Sequence, residues 1–257
     1  MMEKRYIKLI DKETLSESGS LRRLLFEALE ITANPGQFVN IEIEGKYLRR
    51  PISVSEYSDG KLSLIVAPVG EGTRKLADAP TGTEFDTLTG LGNTFSLNPG
   101  ADNILLIGGG VGYAPLVGLL DALRRNNPDK KIIAVFGYNG GRDVPVRQLE
   151  EMREKYGENT VFFCTMTGEV GEKGNAIEAA NKICKDLDFA PGYFYTCGPM
   201  PMMKAVCAAF DIPGELSLEA RMGCGFGACM GCTIQTADGP RRICREGPVF
   251  HRSQLLP

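Results

Sequence analysis

The chain has 257 residues, a soft prior for two domains and enough length to bury a core without covalent staples. Apolar residues make up 43% and charged residues 24%, which excludes a disordered chain. A net charge of -3 lacks the basic excess of a nucleic-acid-binding protein, and a single histidine, His251, excludes any multi-histidine metal site within one chain.

The N-terminus, residues 1–11, is charged and has no apolar stretch of the kind a signal peptide needs. The first hundred residues read as β. Short apolar runs at 21–29, 37–43, 52–56, 61–67 and 84–88 are separated by turn formers such as Asn34-Pro35-Gly36 and Asp59-Gly60. Regular short strands of this kind predict a small antiparallel barrel. One helix interrupts them at 73–79, after Gly70-Glu71-Gly72.

Near Pro99-Gly100 the rhythm changes. Strands at 104–107, 131–137, 160–165 and 193–197 alternate with helices at 113–125, 146–156, 176–185 and 202–210. Four alternations predict a parallel sheet covered by helices on both faces. The uncharged stretch 103–120 is long enough for a membrane span, but its five glycines and one proline make it a strand, a tight turn and a helix. The last forty residues break the alternation and are rich in Gly and Cys. The expected units are a barrel over 1–100, an α/β domain over 101–214 and a small lobe over 215–257.

Four of the eight cysteines, Cys224, Cys229, Cys232 and Cys244, fall within 21 residues in the order Cys-x4-Cys-x2-Cys-x11-Cys. The first two gaps match the plant-type [2Fe-2S] pattern, and Gly223, Gly225, Gly227 and Gly231 leave room for backbone N–H groups to approach sulfur. Tetrahedral zinc is the rival, although zinc ribbons favour two Cys-x2-Cys knuckles and only one is present. The other four cysteines, Cys164, Cys184, Cys197 and Cys207, sit among apolar residues. With no signal peptide, the expectation is a cytoplasmic chain with reduced thiols.

Three further segments are weak alone. Arg49-Arg50-Pro51-Ile52-Ser53 places a guanidinium and a hydroxyl on a strand, where they suit a phosphate, but an exposed basic strand end is the plainer reading. Gly70-Glu71-Gly72-Thr73 opens a helix, whose free N–H groups favour anions. Gly108-Gly109-Gly110-Val111-Gly112 joins a strand to a helix, the place for a dinucleotide phosphate, yet the strict G-x-G-x-x-G spacing fails there. Cys197-Gly198-Pro199 ends a later strand, where a lone cysteine is more readily core. His251 reads as a tail residue.

Taken in order, these segments resemble the ferredoxin-NADP reductase superfamily. With the cysteine cluster placed last, the chain is similar to the electron transfer subunits of two-component, NAD-linked dihydroorotate dehydrogenases. The stretches from Glu219 to Cys224 and from Arg245 to Phe250 carry most of that likeness. The resemblance implies FAD on the barrel, NAD on the α/β domain and a [2Fe-2S] cluster on the terminal lobe. It places Arg50, Pro51, Ile52, Ser53, Ile65, Val66, Ala67, Gly72 and Thr73 around FAD. Gly109, Gly110, Gly112, Cys197, Gly198 and Pro199 would shape the nicotinamide cleft, and Cys224, Cys229, Cys232 and Cys244 would ligate iron. Many superfamily members carry Tyr where Ile52 stands. The implied partner is an FMN-containing catalytic subunit that oxidises dihydroorotate in pyrimidine biosynthesis, in a heterotetramer of two of each chain, with no nucleic acid and no membrane. Met222, Phe226, Met230 and Phe250, beside Arg241, Arg242 and Arg245, are the expected docking face. Small subunits of ferredoxin-NADP transhydrogenases or sulfide dehydrogenases share the layout, and a stand-alone NADH:acceptor reductase would need no permanent partner.

Overall fold

A computed structural model describes residues 2–255. Six strands close a barrel: β1 (Glu3–Thr14), β2 (Arg22–Glu27), β3 (Phe38–Ile41), β4 (Arg50–Ser58), β5 (Lys61–Val66) and β6 (Glu84–Leu91). Their order is β1-β2-β5-β4-β3-β6, every pair antiparallel. Side chains alternate between the faces of a strand, so one set points inward, and Ile7, Leu9, Leu24, Phe26, Leu62 and Leu64 fill the interior. Strand β1 lies in the charged N-terminus, where no strand is expected from the residue pattern. Its charged residues face water, while Ile7 and Leu9 enter the core. Helix α1 (Glu71–Asp78) follows β5 and starts two residues before the expected position.

The second unit is a seven-stranded sheet. It contains β7 (Asn103–Gly109), β8 (Lys131–Tyr138), β9 (Val161–Thr165), β10 (Glu172–Lys173), β11 (Tyr193–Cys197), β12 (Gly214–Ser217) and, numbered here by chain order, β15 (Val249–His251). The order is β10-β9-β8-β7-β11-β12-β15, and only β15 runs antiparallel. Helices α2 (Tyr113–Asn126) and α3 (Val146–Tyr156) pack in one apolar cluster with Ile104, Leu106 and Phe136; α4 (Ala176–Asp186) and α5 (Met200–Ala209) pack in another with Leu105, Ile107 and Val135. Alternate residues of β7 thus enter opposite cores, the double covering expected of a parallel sheet.

The terminal lobe adds a hairpin, β13 (Thr233–Thr236) with β14 (Gly239–Arg242). It is stitched into both larger units. Strands β12 and β15 belong to the main sheet, so residues 215–217 and 249–251 lie inside the sheet rather than beside it. Asn93, just after β6, donates through Nδ2 to the Val249 carbonyl at 2.7 Å and accepts from the Val249 N–H at 2.9 Å. Among the described residues no helix is long and apolar enough to cross a membrane. His251 caps the final turn, its ring nitrogen 2.8 Å from the Ser253 hydroxyl.

Candidate functional site

Two clefts and a cysteine loop meet where the barrel, the sheet and the lobe converge. The first cleft, about 270 Å³, has one wall from the barrel: Pro51, Ile52 and Ser53 of β4, Ile65 and Val66 of β5, then Ala67 and Thr73. These are seven of the nine residues grouped around a flavin at the sequence level. The other two lie just behind. Arg50 donates from Nη1 to the Leu48 carbonyl at 2.6 Å, and its guanidinium crosses the first turn of α1. A Cβ at position 72 would overlap that guanidinium, so the Arg50 side chain takes this course only because residue 72 is glycine. Thr73 accepts a hydrogen bond from the Gly70 N–H at 3.1 Å and closes the helix start. A cation and the positive end of a helix therefore share one corner, which suits a phosphate.

The opposite wall was not assigned to a flavin from the sequence, although it draws on the 108–112 run and on the stretch from Glu219 to Cys224. It comes from Val111 in the turn before α2, from Ala114 in its first turn, and from the segment Ser217–Ala220 with Met222. Glu219 opens into the cleft, and the surrounding protein pushes its carboxyl above the usual range.

The second cleft, about 470 Å³, lies beyond the carboxyl ends of β7 and β8. Gly109, Gly110 and Pro199 line it, together with Tyr138, Asn139, Asp143 and Asn175, which sequence reasoning did not single out. Asp143 accepts hydrogen bonds from the hydroxyls of Ser18 at 2.7 Å and Ser20 at 3.1 Å, tying sheet to barrel. Three residues grouped with this cleft do not line it. Gly112 packs against the Cys197 carbonyl, and Gly198 packs against the backbone of Gly109. Cys197 is 1% exposed, and burial, then the Glu219 carboxylate, pushes its thiol far up, so it is a neutral core group. Ala67, Val69 and Val111 border both clefts, so the two share a wall.

The four clustered cysteines form two pairs. The Cys232 and Cys244 sulfurs are 3.3 Å apart, and the Cys244 N–H donates to Cys232 Sγ at 3.4 Å. Cys224 and Cys229 face each other across the loop. The N–H groups of Ala228 and Cys229 point at Cys224 Sγ, at 3.2 and 3.4 Å, and the Cys224 N–H points at Cys229 Sγ at 3.5 Å. Burial alone would raise the Cys224 thiol; the N–H groups around it win and bring it down to about 6. Cys244 lies deeper, and burial followed by its neighbour Cys232 pushes it up to about 12. Among the described residues no three His, Cys, Asp or Glu side chains are grouped to hold one metal ion. All eight cysteines are free thiols, and Cys164 and Cys184 are buried and held protonated by burial.

The expected docking face is smaller than the sequence implied. Phe250 is buried, and Met222 lines the first cleft. Arg242 donates to the Gly227 carbonyl at 2.6 Å and pairs with Glu246, so it clamps the loop from within. Phe226 and Met230 remain exposed, beside the exposed Cys229.

Comparison with known proteins agrees with this layout. Residues 219–256 match the model of the iron-sulfur cluster binding domain of dihydroorotate dehydrogenase B, and residues 106–208 match the oxidoreductase NAD-binding domain. The chain is 38% identical over 231 residues to the dihydroorotate dehydrogenase B (NAD(+)) electron transfer subunit of Fusobacterium nucleatum, covering 86% of each. The corresponding subunit of Clostridium perfringens is 34% identical over 253 residues, covering 97% of this chain and 98% of that one. Among solved structures, an NADH-dependent reduced ferredoxin-NADP oxidoreductase superposes with a TM-score of 0.85 at 25% identity, over 97% of this chain and 89% of that one. With relatives this similar along nearly its whole length, the chain belongs to the family of electron transfer subunits of dihydroorotate dehydrogenase B (NAD(+)).

Proposed function

We propose that this chain relays electrons from a dihydroorotate-oxidising partner to NAD, with FAD in the first cleft, NAD in the second and a [2Fe-2S] cluster on the cysteine loop. The observation that carries the reading is the continuity of the 217–222 segment. It walls the first cleft and, two residues after Met222, reaches Cys224. One short stretch of chain thus touches both proposed redox sites. The shared wall of Ala67, Val69 and Val111 supports direct contact between flavin and nicotinamide.

When bound, FAD exchanges a hydride with nicotinamide and single electrons with an iron-sulfur cluster, which is how a two-electron carrier is matched to a one-electron one. The chain's residues hold and orient. Pro51, Ile52 and Ser53 would hold the flavin ring, and Arg50, Gly72 and Thr73 would hold its phosphate. Gly109 and Gly110 let the NAD pyrophosphate approach the backbone, with Gly112, Cys197, Gly198 and Pro199 shaping that turn from behind. Two pairs of thiolates suit two irons, Cys224 with Cys229 and Cys232 with Cys244, better than one tetrahedral zinc. No step asks a side chain to move a proton to substrate, in keeping with a chain that has one histidine.

The partner is an FMN-bearing catalytic subunit, in a heterotetramer of two of each chain. We place the assembly in the cytoplasm and the three units at 1–100, 101–214 and 215–257, the last of which lends residues 215–217 and 249–251 to the sheet of the second. The purified chain should be brown, with FAD, iron and labile sulfide in the ratio of one flavin to one two-iron cluster. It should pass electrons from NADH to artificial dyes and oxidise dihydroorotate only with the partner present. Zinc without labile sulfide, or turnover of dihydroorotate by the chain alone, would overturn the reading. The likeness to the ferredoxin-NADP oxidoreductase structure favours a second reading, in which the chain serves a partner that exchanges electrons between ferredoxin and NADP instead. Coupled assays with each partner's substrate separate the two.

A further inference from the structure

One buried polar side chain joins the two proposed redox sites directly. Asn40 lies on β3 between Val39 and Ile41 and is 1% exposed. Its ladder partner on β4 is Pro51, which walls the first cleft. Its Nδ2 donates to the Cys224 carbonyl at 3.1 Å, across 184 residues of sequence. A carbonyl can only accept, so the amide orientation is fixed by that bond. The other amide atom, Oδ1, is buried without a partner. A buried amide half unsatisfied is costly in a strand that otherwise buries apolar residues, so its single contact is what it is placed to make. Gly225 matches it from the other side. It sits at φ +79, and a Cβ there would overlap Asn40 Nδ2.

The contact fixes more than one atom. The peptide from Cys224 to Gly225 is a rigid plane, so holding the carbonyl toward the barrel turns the Gly225 N–H away from it. That orients the start of the loop and the Cys224 thiol against the strand bearing Pro51.

We infer that Asn40 is a positioning residue for electron transfer, holding the first cysteine of the cluster loop at a fixed distance from the flavin wall. This rests on the reading that FAD fills the first cleft and the four cysteines hold the cluster. The step is read in reverse of the proposed flow: NADH gives a hydride to FAD, and one of the two electrons then passes to a ferric iron of the cluster while the other stays on the flavin.

The test uses the full chain loaded with both groups. Asn40→Ala is mixed with NADH under anaerobic stopped flow, and iron, sulfide and FAD are counted beforehand. Flavin reduction should proceed at the parent rate. Electron arrival at the cluster should slow about fivefold, the population change given by losing one neutral hydrogen bond. The g-values of the reduced cluster should shift, a signature that simple loss of stability does not produce. Asn40→Ser, which keeps a donor, should recover part of both effects, and it carries the measurement if the alanine variant sheds iron. An unchanged second phase with an unchanged spectrum overturns the inference. So does loss of iron from both variants, since Asn40 would then build the cluster site rather than position it. A parent chain without iron would instead refute the cluster reading itself.

Discussion

The barrel wall and the cysteine loop are adjacent, yet different forces give them shape. The wall lies on β4 and β5, hydrogen-bonded on both sides within a closed barrel and backed by Val54, Leu62 and Leu64. Backbone pairing and apolar burial determine it before any ligand arrives. The loop from 221 to 232 has no helix or strand, and Gly225, Gly227 and Met230 all take positive φ. Its shape comes from side chains reaching in, Asn40 from the barrel and Arg242 from β14, and from N–H groups gathered around sulfur. A site of the first kind keeps its form when a contact is lost. A site of the second kind depends on each contact it has.

The largest test of that contrast is Cys244→Ala. It removes one thiolate from the buried pair, and a cluster needs all four ligands, so iron and labile sulfide should fall to background. FAD should remain bound at the parent affinity, because no barrel strand depends on Cys244. Metal analysis beside flavin absorbance checks both halves. Joint loss of flavin and iron would show that wall and loop form one unit.

Arg50→Ala probes the wall. A charge-assisted hydrogen bond is worth about 1.5–3 kcal/mol. At about 1.4 kcal/mol per decade, FAD should bind tenfold or more weakly. Iron content should not change. Fluorescence titration of the flavin-free chain measures the constant, and an unaltered value removes Arg50 from the phosphate corner.

What the sequence revealed follows the same division. Barrel and α/β sheet are repetitive, so their periods of two and 3.6 residues were readable, as were the glycine turns at 70–72 and 108–112. Strand β1 was missed because the charges of Glu3–Thr14 mask an alternation that buries only Ile7 and Leu9 fully. Strands β12 and β15 are four and three residues long, and their pairing is decided by distant chain. Cysteine spacing identified the loop but not its clasps. Arg242 looked like a docking residue because an ion pair with Glu246 leaves no trace in composition. Asn40 did leave one: a lone amide between Phe38-Val39 and Ile41, in a strand buried on both faces, marks a contact to be satisfied.

Ser53→Ala should have a smaller effect than Arg50→Ala. Ser53 lines the first cleft from β4, opposite Phe38 on β3. A neutral hydrogen bond is worth about 0.5–1.5 kcal/mol, so FAD affinity should fall by no more than about tenfold. The strand keeps its ladder, and iron content should again stay constant. A larger loss than in Arg50→Ala would move the main flavin anchor from the phosphate corner to the ring.

The smallest expected effect is that of Cys184→Ala. Cys184 sits on α4 at 9% exposure, facing Ala180 and Ile183 in the core against β7 and β8. Burial pushes its thiol up to about 11, so near neutral pH it stays protonated and acts as a small apolar group. Alanine removes one sulfur from a helix interior and restores the best helix former, so the packing loss, on the order of 1 kcal/mol, is partly offset. Iron, sulfide and FAD should all match the parent chain, and the melting temperature should drop by no more than about 4 °C. The comparison with Cys244→Ala is direct, one thiol removed in each case. On the proposed reading, a cysteine in a regular, apolar element contributes only volume, whereas one in the irregular lobe supplies a ligand. Iron lost from Cys184→Ala would break that distinction and reopen the ligand set.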